Sequence, residues 1–176
     1  MVPHVASADE AREVVRMVRC HPIGQKALDA GNMDGLFCQI PLAEYTAHCN
    51  TEKLVILQIE SPEALEQVEA IAAVPGFDCL LFGAGDYSHR IGLVGQATHR
   101  DVVAARKRVH AAAIKHGKFV AVASLFGQKD QLIAEGARIF TLGADVLETG
   151  NAFRKLVGDF RGAAPAVASG SVYASK

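Results

Sequence analysis

The chain has 176 residues, half of them hydrophobic and 21% charged, a composition that suits one buried core and gives no sign of extended disorder. Its formal net charge of −1, with basic residues scattered among acids, offers no clustered cationic face for nucleic acid. Cys20, Cys38, Cys49 and Cys79 lack Cys-x-x-Cys spacing and read as small core residues. No secretory leader pattern is present, and the apolar runs fall short of the roughly 20 residues that cross a bilayer. A cytoplasmic protein without membrane or nucleic-acid partners is expected.

Met1 to Val5 reads as a strand end feeding a helix. Ser7-Ala-Asp-Glu10 is a capping box, and Ala11, Val14, Val15 and Val18 then recur at helical spacing as far as His21-Pro22. From His21 to Asn50 the pattern dissolves into a long loop, relieved by a short helix after Pro41. Leu54 to Ile59 is a near-continuous apolar strand, and Ser61-Pro62 caps a helix running through Val74. The unit repeats. Cys79 to Phe82 precedes a helix from about Asp101 to His116, Phe119 to Ala123 precedes one ending near Gly136, and Ile139 to Leu142 precedes one from about Asn151 to Leu156. Alternation of this kind predicts an α/β fold with a parallel sheet of about five strands, fewer than the eight of a closed barrel. One domain over residues 1–160 is expected, with 161–176 as a tail rich in Ala, Ser and Gly.

Ligands of parallel α/β folds bind at the C-terminal ends of the strands. Glu60 ends one strand there, and Asp86 follows Phe82-Gly-Ala-Gly85 at the end of the next, so two carboxylates from adjacent units can converge on a hard divalent ion. Each also fits a plain role as an acid in a helix's first turn. Gly83 and Gly85 would let a ligand approach backbone amides. A dinucleotide fingerprint fits less well, because its third glycine position is Ser88, and Gly92 and Gly95 follow in place of an immediate helix. Gln58 alternates with Ile59 and can face the same mouth as Glu60, or be a buried structural amide. His4, His21, His48 and His89 show no metal-ligand spacing, although His4 lies at a strand end. No Ser-His-Asp or Cys-His set can be assembled.

Several strings in fixed order resemble the HpcH/HpaI aldolase/citrate lyase family, and within it the class II pyruvate aldolases. They are Met1-Val-Pro-His-Val5, Ala11-Arg-Glu-Val-Val15, Pro22-Ile-Gly24, Leu28-Asp-Ala-Gly-Asn32, Gln58-Ile-Glu60, Gly83-Ala-Gly-Asp86, His116-Gly-Lys118 and Gly143-Ala-Asp-Val146. The resemblance implies about the last four to five units of a (β/α)8 barrel of the phosphoenolpyruvate/pyruvate superfamily. It also implies a homo-oligomer with an exchanged C-terminal helix. Glu60 and Asp86 are then the ligands of Mg, Mn or Co. Gln58, Gly83, Ala84, Gly85 and Asp86 are the substrate-binding set, with the Gly85 and Asp86 amides on the carboxylate of pyruvate and Gln58 orienting a metal-bound water. The family's catalytic His and Arg pair is expected on strands N-terminal to this chain, so no residue here takes those roles. Met1 falls where the family has an internal strand, and a truncated product, a misplaced start or a fragment needing another chain is expected.

Two departures stand out. Ala84 replaces the family's usual proline and is expected to loosen the loop that holds the carboxylate, and Gln25-Lys26-Ala27 replaces an Arg-Arg-Gly type string, weakening or moving a cationic contact. The implied function is cleavage of a 2-keto-3-deoxy or 4-hydroxy-2-oxo acid to pyruvate and an aldehyde. The alternatives are an inactive remnant that binds or oligomerises, and a citryl or malyl thioester lyase.

Overall fold

Ser7 begins the first helix as its sequence predicts: the hydroxyl accepts from the Glu10 amide at 3.1 Å, while Glu10 reaches back to the amide of Ala6, one residue beyond the expected Ser7. In this computed structural model, which describes residues 1–123 and 126–162, that helix is α1 (Ala8–Val18). A single 3-10 turn (Met33–Gly35) interrupts the loop that follows, and α2 (Leu42–Thr51) occupies more of it than the predicted short helix.

Four strands follow, β1 (Ile56–Ile59), β2 (Cys79–Phe82), β3 (Phe119–Ala123) and β4 (Ala137–Thr141), all parallel and in the order β1-β2-β3-β4. Val2 adds a parallel bridge outside β1, accepting from Gln58 and donating to Ile56, both at 2.9 Å. The expected fifth strand is therefore a single paired residue. Between β1 and β2 the helix splits at Gln67 into α3 (Pro62–Glu66) and α4 (Val68–Ala72). Ser61 caps α3 by accepting from the Ala64 amide at 3.1 Å.

The principal departure lies after β2. Gly83-Ala-Gly-Asp86 is not a loop. Helix α5 (Ala84–Arg90) starts there, ahead of α6 (Arg100–Lys115). Its glycines weaken the local helical signal, but Tyr87 and Ser88 are buried, Tyr87 meets the Phe82 ring at 5.2 Å between centroids, and tertiary burial outweighs propensity. Ala84 is the first helical residue, a position where proline and alanine both serve, so the expected loosening of a loop does not arise.

Helix α7 (Lys129–Ala134) precedes β4, and α8 (Asp145–Arg161) runs well beyond the predicted Asn151 to Leu156. No residue of α8 is buried, and Phe153, Leu156 and Phe160 face outward. Arg161 still belongs to that helix, which ends on Gly162 in the left-handed conformation. The rest of the predicted tail lies outside the described residues.

The main core lies between the sheet and its helices. Leu57, Ile59, Leu80, Phe82, Val120 and Val122 meet Val68, Ile71, Val102, Val109 and Ala113 there. The opposite face carries a smaller cluster of Cys79, Leu81 and Ala121. At the N-terminal edge of the sheet, buried Arg19 donates to the carbonyls of Gly76 (2.8 Å), Cys49 (3.1 Å), Asn50 (3.2 Å) and Lys53 (2.8 Å), and to Asp78 Oδ2 at 2.6 Å.

Between α6 and α7 lies a buried polar group that the sequence does not announce. Arg106 pairs with Glu135 at 3.1 Å, and His110 Nδ1 stands 3.7 Å from the same carboxylate, with neither ring nitrogen hydrogen-bonded among the described residues. Burial first, and then the Arg106 charge, depress His110 to about 4, against the weaker opposing pull of Glu135. The unfolded chain therefore takes up this proton near pH 6.5 and the folded chain only near pH 4, so stability falls as pH drops through that window. Urea denaturation should show a loss of about 2 kcal/mol between pH 7 and pH 5, largely absent in His110→Gln. Equal pH dependence in the variant would refute the assignment.

Candidate active site

The parallel register builds the site. Ile59 pairs with Phe82, and the Gly83 amide donates to the Ile59 carbonyl at 2.9 Å, so Glu60 and Gly83 emerge side by side at the C-terminal edge of the sheet. Glu60 is only 1% exposed, unusual for a carboxylate unless it is well partnered. Its Oε1 accepts from the His4 backbone amide at 2.7 Å and stands 3.0 Å from His4 Nδ1, while its Oε2 accepts from Gln58 Nε2.

His4 takes φ 59°, the left-handed region that a residue with a side chain rarely occupies. In that conformation the amide just beyond the Val2 bridge donates to Glu60. The sequence marked His4 only as a histidine at a strand end. Its main contribution, a backbone donor to a carboxylate 56 residues away, has no signature in residue type. Gln58 stands beside Glu60 and donates to it, a contact that fits both of its expected roles.

Gly83 has a steric reason to be glycine. A Cβ there would lie 2.7 Å from both Glu60 Cβ and Glu60 Oε2, and 2.9 Å from Gln58 Nε2. Past it, α5 opens with Ala84, Gly85 and Asp86, whose amides are the first-turn donors that an α-helix leaves without intrahelical acceptors. Gly83, in the cap position, has no side chain to accept from them. Asp86 is exposed in this turn and has no hydrogen-bond or ion-pair partner among the described residues. Ser88 still occupies the third glycine position of a dinucleotide fingerprint, and α5, which begins at Ala84, ends at Arg90, two residues past Ser88, so that reading gains nothing.

The other candidates lie elsewhere. Lys26 turns inward to Tyr45 Oη at 3.1 Å and Cys49 Sγ at 3.5 Å, away from Glu60. Cys20, Cys49 and Cys79 are buried as expected, but Cys38 is exposed. Among the described residues no three His, Cys, Asp or Glu side chains gather as a complete metal cage, and no helix is long and apolar enough to cross a membrane.

The profile of the HpcH/HpaI aldolase/citrate lyase family matches residues 1–152. The chain belongs to this family. A 5-keto-4-deoxy-D-glucarate aldolase of Klebsiella pneumoniae is 30% identical over 162 residues, which cover 92% of this chain and 62% of the relative. A hydroxypyruvate/pyruvate aldolase of Paraburkholderia phytofirmans is 34% identical over 168 residues, covering 92% and 63%. The crystal structure of an HpcH/HpaI aldolase from Desulfitobacterium hafniense superposes with a TM-score of 0.81 at 28% identity, over 92% of this chain and 62% of the other. The chain thus spans about three-fifths of the length of these family members, and its four parallel strands form part of a barrel of the family's type.

The packing at the two glycines predicts opposite effects of alanine. Gly83→Ala forces Glu60 or Gln58 to move and should cost about 1–3 kcal/mol in urea denaturation. Gly85→Ala enters open space within a helix and should be neutral or stabilising by up to about 1 kcal/mol. Equal effects would show that Gly83 is not in contact with Glu60.

Proposed function

We propose that this chain supplies the cation- and keto-acid-binding residues of an aldolase that cleaves a 2-keto-3-deoxy or 4-hydroxy-2-oxo acid to pyruvate and an aldehyde. The observation that carries the reading is the buried Glu60 carboxylate, held at the sheet's C-terminal edge in a cradle that a Cβ on Gly83 would fill. The relatives named as aldolases of 5-keto-4-deoxy-D-glucarate and of hydroxypyruvate/pyruvate support the same substrate class.

The residues fit a hard divalent cation. Glu60 and Asp86 are oxygen donors, the Gln58 side chain donates to Glu60 through Nε2, and no thiol stands among them to favour a softer metal. Glu60 and Asp86 would hold Mg, Mn or Co. When bound, the ion supplies Lewis acidity that stabilises the pyruvate enolate released by carbon–carbon cleavage. The chain's own groups do the positioning. The His4 amide and Gln58 fix the two oxygens of Glu60 and leave its remaining lone pairs for a cation. The first-turn amides of Gly85 and Asp86 are donors for a substrate carboxylate, and the small Gly83, Ala84 and Gly85 leave them open to approach.

Deuterium uptake into the methyl group of pyruvate, read by mass spectrometry, tests enolisation without requiring the aldehyde. Metal-dependent exchange that falls at least about tenfold in both Glu60→Gln and Asp86→Asn is expected. Exchange that is insensitive to a chelator or to both substitutions would refute the cation site. Its absence from folded protein with Mg or Mn supplied would favour a binding role without turnover.

The outward Phe153, Leu156 and Phe160 of α8 support the homo-oligomer that the resemblance implies. Light scattering should give a mass above the monomer's 18.7 kDa, lowered by Phe153→Lys with Leu156→Lys. A monodisperse monomer would rule this assembly out. The four free thiols fit a reducing, cytoplasmic setting.

A further inference from the structure

At the opposite edge of the sheet from Glu60, two chain segments are tied closely together. Asn50 accepts from the Cys20 amide at 2.8 Å and donates to the Cys20 carbonyl at 3.2 Å, while Arg19 holds the Cys49 and Asn50 carbonyls. Cys20 and Cys49 share one buried cluster with Ala30 and Tyr45. Lys26 Nζ stands 3.5 Å from Cys49 Sγ and 3.1 Å from Tyr45 Oη, and Lys53 lies over the Tyr45 ring at 5.6 Å. Lys53 has Asp34 as an ion-pair partner, whereas Lys26 has no carboxylate partner among the described residues. Both lysines are partly exposed, whereas Cys20 and Cys49 are buried. None of these groups belongs to the Glu60 site.

We propose that Cys20 and Cys49 are a peroxide-oxidisable dithiol, in which Cys49 is the attacking thiolate beside Lys26 and Cys20 is the resolving thiol. The two sulfurs are not equivalent. Burial alone would raise Cys49, but the Tyr45 hydroxyl, Lys26 and Lys53 more than offset it and hold the thiol below its ordinary range. Cys20 is pushed up, by burial first and then by Cys49 itself. Cys79, buried without a cation, is pushed up to about 12 and serves as the inert comparison.

Cys49 thiolate attacks one oxygen of hydrogen peroxide, forming the sulfenic acid as the O–O bond breaks and hydroxide leaves. Cys20 then attacks the Cys49 sulfur, the S–S bond forms as the S–O bond breaks, and the departing hydroxide takes the Cys20 proton as water. The first hydroxide takes up the proton that Cys49 released on ionising, so two thiols are oxidised and one peroxide is reduced to two waters. Burial of both thiols favours an oxidant of this size over a bulky disulfide. The product would close a ring across the loop between α1 and α2. This inference does not depend on the reading of Glu60.

The reduced chain, shown to be folded by circular dichroism, is treated with hydrogen peroxide, and its peptides are mapped without reduction. A Cys20–Cys49 peptide lighter by two hydrogens is expected in the wild type and in Cys38→Ser. Cys20→Ser should instead give a sulfenic acid at Cys49 that a cyclic diketone traps, and Lys26→Met should slow cross-linking several-fold at neutral pH and shift its rate profile to higher pH. Three outcomes overturn the proposal: no such peptide from folded wild type, linkage through Cys38 alone, or cross-linking only after urea is added. A profile unchanged in Lys26→Met removes Lys26 from its role.

Discussion

Asp78 sets the register on which the site depends. Its Oδ2 accepts from Arg19 Nη2 and from the Val55 amide, both at 2.6 Å, so one carboxylate oxygen ties the entrance of β1 to the entrance of β2. Arg19 continues outward from that point to four backbone carbonyls on the segments that lead into the two strands. A guanidinium buried with this many acceptors is well satisfied, and its removal would leave those carbonyls without their donor. Because a parallel pair in register at one end is in register at the other, this clamp is what brings Glu60 beside Gly83.

That arrangement divides the sheet by function. One edge holds the clamp and the thiol cluster, and the other holds a buried carboxylate whose partners come from three places in the chain: the His4 amide, the Gln58 side chain and the side-chain-free Gly83. Burial without partners would be costly for Glu60, so the strained His4 backbone is explained by the hydrogen bond it makes. Placement of the carboxylate at the end of a strand, with a helix N-terminus next to it, suits the cation-holding role proposed for it.

The strands were legible because their signal is local. Cys79 to Phe82 and Phe119 to Ala123 are apolar runs with turn residues at their ends, and the structure returns those bounds unchanged. Helix α5 was not legible, because Gly83-Ala-Gly reads as a break and the residues that stabilise the helix, Tyr87 and Ser88, do so only through burial. The extent of α8 was likewise hidden, since Gly150 and Gly158 interrupt its pattern and none of its residues is buried. The Arg106, His110 and Glu135 group shows the same limit from the opposite side, as charged residues on α6 give no indication that they face inward.

The sequence by itself determined the alternating strand-helix order, the capping residues Ser7 and Ser61, the strand-end position of Glu60 and, through ordered motifs, the family. These follow from periodicity and residue chemistry over short stretches of chain. Tertiary structure alone decided that His4 donates its amide to Glu60, that Lys26 faces Cys49 rather than that carboxylate, and that Gly83 is glycine because another side chain fills its place. Each of these is a contact between residues far apart in sequence, and only the packing of the sheet brings them within reach.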